Sequence, residues 1–213
     1  MANYGFQYKV GDITTRGSQN VAGKFGSFSS NNFVPADAFQ GQLVVPQSLI
    51  PCEGYASAKN KDGTALGTIY NGNTWYFVAP TNGNSGKRYG DHTGIYAVNN
   101  YDVSKATFAD QTLNFGANTL GVGLPADTMG DFTELIVGEQ YKFASDNFTT
   151  QAVVGQYATI AASGKLTPSA SEPAAGSGVY FKILRSEPFN EGASFYGTGY
   201  VVQVLRTLEA AAG

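Results

Sequence analysis

The chain reads as an all-β protein, made of sandwich or barrel units joined by Gly- and Asn-rich loops, with little helix. Three observations lead there. Charged residues are only 14% of the 213 positions, beside 27 Gly, 13 Tyr and 14 Phe, and so little charge suits neither a coiled coil nor a long helical bundle. β-branched and aromatic runs are broken by Gly, Asn and Asp turn signals. The net charge is −3, without the excess that keeps a chain disordered, and at this length a compact fold buries roughly 70% of its unfolded surface, enough to hold a core without disulfides or metal.

From the N-terminus, Tyr4, Phe6, Tyr8 and Val10 alternate with small or polar residues, the period-2 pattern of a strand with one apolar face. A meander is expected next. A strand at Cys52–Ala58 precedes the Asp62-Gly63 turn, and Ala65–Tyr70 and Thr74–Val78 flank Asn71-Gly72, a pair that tolerates the positive φ of a tight hairpin. The Gly-rich stretch Thr81–Asp91 is an exposed loop. Gly94–Val98 and Gly116–Leu124 are short strands around Ser104–Thr112, which holds one short helix.

The second part is more regular. Glu134–Phe143 and Ala152–Ile160 share an apolar-Val-Gly opening, polar residues, a Tyr and a strand-like continuation, and Val10-Gly11-Asp12-Ile13 echoes that opening. Gly164 marks a turn, and Pro168–Gly178, rich in Pro, Ser, Ala and Gly, reads as a mobile loop. Val179–Leu184 and Gly199–Leu205 close the fold as strands, the latter nearly continuous in apolar residues as for a strand buried on both faces. Leu208–Gly213 is too short for a stable helix and reads as a frayed tail. The expected organisation is an N-terminal β-rich region, 1–131, carrying a possible binding arm at 1–10, and a small barrel or sandwich domain at 132–213, the two packed units sharing one core.

Composition excludes several classes. Thirteen Lys and Arg scattered among sixteen Asp and Glu give no footprint for a phosphate backbone, so nucleic acid is not an expected partner. Nor does any run approach the roughly 20 apolar residues of a membrane-spanning helix. The N-terminal residues show no secretory pattern, and the single Cys52 fits a reducing compartment. Asn147-Phe148-Thr149 matches a glycosylation sequon by chance.

Catalytic chemistry finds little support. A nucleophile-base site needs a histidine or a substitute base, and the one histidine, His92, follows Asp91 directly. Neighbours in a loop seldom have dyad geometry, so His92 reads as a loop residue with a solvated or hydrogen-bonded ring. Cys52 is a small packed residue, and one His with one Cys cannot build a four-ligand zinc site. Gly83–Arg88 lacks the spacing and the hydroxyl residue of a phosphate loop, and Gly121-Val122-Gly123 lacks the third glycine of a dinucleotide fingerprint. The acids are spread thinly, with no pair that stands out for glycoside hydrolysis. No catalytic residue, cofactor or metal is assigned.

What remains is the aromatic surplus. Most of it is core, and the residues assigned to binding are Tyr4, Phe6, Tyr8 and Val10, because an apolar face on a terminal strand needs a cover. Two readings stand: an edge strand of the chain's own sheet, or an arm laid across a partner subunit by strand addition.

Val154–Ile160, Gly164-Lys165-Leu166-Thr167-Pro168, Gly178–Phe181 and Gly199–Val204 resemble capsid decoration, or cement, proteins of tailed bacteriophages. Small β-barrels of that family often show a Val-Gly-x-Tyr-Val-Thr-like strand, a Gly-Lys-Leu turn, a Gly-Val strand and a final strand of alternating Val. The resemblance covers about the last third of the chain. It implies a non-enzymatic virion protein, made in the host cytoplasm, that binds the major capsid protein lattice and reinforces it, with self-association as a further possibility. A carbohydrate- or receptor-binding module of a phage tail or fibre, with Trp75 or Tyr89 as the stacking residue, is the alternative, and a hydrolase with a carboxylate pair is a third.

Overall fold

A computed structural model describes residues 4–7, 20–29, 32–46, 75–80, 91–99, 123–191 and 194–207. Among the described residues, twelve strands run in the order β1 (Phe6–Gln7), β2 (Asn20–Ser29), β3 (Asn32–Pro35), β4 (Leu43–Pro46), β5 (Trp75–Val78), β6 (His92–Val98), β7 (Gly130–Ile136), β8 (Gln140–Ala144), β9 (Tyr157–Ile160), β10 (Leu166–Ser169), β11 (Val179–Glu191) and β12 (Ser194–Arg206). Ser145–Asn147 forms a single 3₁₀ turn. The protein is all-β, as its composition predicts.

The strands divide between two sheets. One has the order β3-β2-β5-β4-β6-β7, and a further pairing of β2 with β7 closes five of its strands into a barrel. The other is a six-stranded sheet, β1-β8-β12-β11-β9-β10. Gly130–Ile136 belongs to the barrel, whereas the N-terminal β1 belongs to the sheet.

The packing explains why. Inside the barrel, Phe25, Val44, Phe77, Tyr96, Val98 and Phe132 form one apolar cluster, with Phe77 stacked on Phe132 at 4.0 Å between ring centroids. The alternate residues of the same strands, Leu43, Val45, Ile95, Ala97 and Leu135, point outward and join Phe6, Tyr141, Phe143, Phe181, Ile183, Val202 and Val204 of the sheet in a second cluster. The register agrees: Leu43 lies opposite Ala97 and Val44 opposite Tyr96. One wall of the barrel is thus covered by the sheet, and β4, β6 and β7 are buried on both faces.

Backbone bonds tie the layers together. The turn between β9 and β10 touches the barrel where Leu43 N donates to Gly164 O at 2.8 Å. Gly164 has φ +79°, and a Cβ there would stand 2.5 Å from Leu43 O, so both conformation and space require glycine.

Several expected strands are observed, some longer than read. Gly94–Val98 begins at His92, and the two closing strands extend to Glu191 and back to Ser194 as one long hairpin with two register shifts. The stretch Pro168–Gly178 is not a free loop: its first two residues lie in β10, Gly178 N donates to Thr207 Oγ1, and Tyr180 Oη donates to Glu172 Oε1 at 2.6 Å. β5 is seen, but in parallel register with β2 and antiparallel to β4. The Asn71-Gly72 hairpin, the 52–58 strand, the 104–112 helix, the 10–13 echo and the 208–213 tail lie outside the described residues.

Replacing Gly164 by Val should lower stability by about 2–3 kcal/mol, since it adds a strained φ to a collision with backbone. Chemical denaturation would measure it, and an unchanged midpoint would mean that the turn does not press on β4.

Candidate functional site

The binding residues expected at the N-terminus separate into different environments. Phe6 is fully buried, 5.7 Å from the Tyr141 ring and 5.1 Å from Phe143 between centroids. Its strand pairs antiparallel with β8 at the sheet edge, Phe6 opposite Phe143 and Gln7 opposite Lys142. Phe6 belongs to the chain's own core, on an edge strand of its own sheet. The side chain that fills the core is the one on the apolar face of the alternation. Tyr4 is half-buried, stacked on Phe39 at 4.3 Å, with Lys165 Nζ 4.8 Å from its ring centre. Tyr8 and Val10 lie outside the described residues.

A polar latch holds this strand. Asn147, 1% exposed, accepts from Gly5 N through Oδ1 and donates through Nδ2 to Gln40 O, both at 2.8 Å. One amide therefore connects the N-terminal strand, the 3₁₀ turn after β8 and the barrel segment before β4. Both its polar atoms are engaged, which leaves no place for a glycan at this sequon.

His92 stands at the start of β6 and not in a loop. Its Nδ1 is 3.0 Å from Oε2 of Glu134 on β7, a carboxyl group 1% exposed, while the ring is 45% exposed. Glu134 Oε1 accepts from Gly94 N at 3.0 Å. Between His92 and Tyr96 the β6–β7 register slips. Thr93 Oγ1 donates to Leu135 O at 2.6 Å and accepts from Ile95 N at 3.0 Å. Together Glu134 and Thr93 satisfy the groups that the bulge removes from the ladder. The Glu134–His92 pair thus sits at the bulge, with both oxygens of Glu134 engaged.

Other acids are likewise engaged. Lys24 Nζ meets Asp127 at 2.8 Å, Lys142 Nζ meets Glu187 at 3.4 Å, and Asp37 Oδ1 accepts from Ala126 N at 2.7 Å. Trp75 is partly buried and packs against the barrel's inner cluster. Tyr89, Cys52 and Gly83–Arg88 lie outside the described residues. Among the described residues no three His, Cys, Asp or Glu stand together as a metal site, and no helix is long and apolar enough to cross a membrane.

Fold and polar interior together define a barrel-and-sheet β-protein whose buried polar groups secure strands. Comparison with protein-family models, curated proteins and solved structures returned no match.

Sequence reasoning missed Glu134, Asn147 and Gln40. A charged residue directly before the apolar run Leu135–Val137 was the available signal for Glu134; its partners, about 40 positions upstream, left no local trace.

Replacing Glu134 by Ala should destabilise the protein by about 1–3 kcal/mol, because the Gly94 amide loses its acceptor in a buried place. Glu134→Gln, which keeps an acceptor oxygen, should lose less, and His92→Ala least. Equal losses in denaturant titrations of all three would contradict the bulge-securing role. A second expectation concerns Tyr180, whose phenol is pushed up from 10.0 to about 12, first by donating to Glu172, then by burial and by the nearby negative charge. The folded state holds this proton more tightly than the unfolded, so the contribution is complete below pH 10 and is lost as pH rises towards 12. Glu172 is exposed, and screening leaves about 1–2 kcal/mol. Tyr180→Phe should flatten the stability difference across that window; an unaltered slope would dismiss the bond.

Proposed function

We propose that the protein is a non-enzymatic structural protein of a tailed-bacteriophage virion that binds the assembled capsid shell and reinforces it. One observation carries the reading. The segments that resemble decoration proteins fall on β9, β10, β11 and β12, and these four are consecutive neighbours in one sheet, in the order β12-β11-β9-β10. Segments that pair with one another make up a structural unit, whereas the same likeness spread over distant parts of a fold would carry nothing.

The chemistry agrees with a binding role. Buried polar side chains such as Glu134 and Asn147 are occupied in securing strands, and the partner is the major capsid protein lattice. On a symmetric shell, weak contacts suffice, because one contact raises the effective concentration for the next.

Quantitative mass spectrometry of purified virions should find the chain in hundreds of copies per particle, and capsids lacking it should take it up saturably on co-sedimentation. A few copies per particle would place it in tail or portal, and no uptake would end the shell-binding reading.

A further inference from the structure

We draw no further inference here: the strongest candidate, the exposed apolar turn of Val153 and Val154 ahead of β9, carries no proposal because nothing in the structure shows what covers it.

Discussion

The structure depends on one apolar layer that two sheets share. Leu43, Val45, Ile95, Ala97 and Leu135 are the outside of a barrel and at the same time the floor beneath a six-stranded sheet. A barrel alone would need polar residues at those positions, and a single sheet would leave its inner face bare. Each body completes the other. Burial at about 25 cal/mol per Å² of apolar surface, applied to both faces of β4, β6 and β7, outweighs the ion pairs at the surface, where exposed pairs such as Lys24–Asp127 contribute roughly 0–1 kcal/mol each.

Burial on both faces has a cost, because every backbone or side-chain polar group in that layer needs a partner inside the protein. Glu134 and Thr93 meet this demand at the β6 bulge, and Asn147 meets it between the N-terminal strand and the barrel. The carboxyl of Glu134 and the imidazole of His92, 3.0 Å apart, belong to this arrangement. The second oxygen of Glu134 accepts from the Gly94 amide, so one side chain serves both the bulge backbone and the His92 ring.

The same geometry decides what could be read from the sequence. The strands of the sheet were legible at Val179–Leu184 and Gly199–Leu205 because apolar and β-branched residues run on with few breaks. β2 was not, since its glycines interrupt the pattern: at Gly23 a Cβ would stand 2.6 Å from the Phe77 ring, and at Gly26 2.2 Å from Val34 O. Those glycines are where neighbouring rings and backbone close in, information that lies in the partner strands. β4, Leu43–Pro46, is a four-residue run ended by proline, too short to show a period. The N-terminal alternation was legible as a strand, but whether its face met its own chain or another depended on β8, more than a hundred residues further on. Of the polar interior, Glu134 left a sign in the sequence, a charge directly before the apolar run Leu135–Val137.

That separation shapes how the fold closes. Gly5 and Asn147 are 142 residues apart, so in vectorial synthesis β1 exists long before the edge it will pair with. Until then Phe6 has no core to enter, and loop closure over so long a span is entropically costly before its contacts form. The chain places the remedy beside the edge itself: Asn147 follows β8 by three residues, so latch and edge appear together. The sheet can therefore assemble from β8 to β12, which are near one another in sequence, and take β1 as its last strand. This strand joins the edge of β8 through Phe6 and Gln7 in register with Phe143 and Lys142, through the Ala144–Gly5 backbone bond and through the Asn147 amide, all of them contacts between residues more than a hundred positions apart.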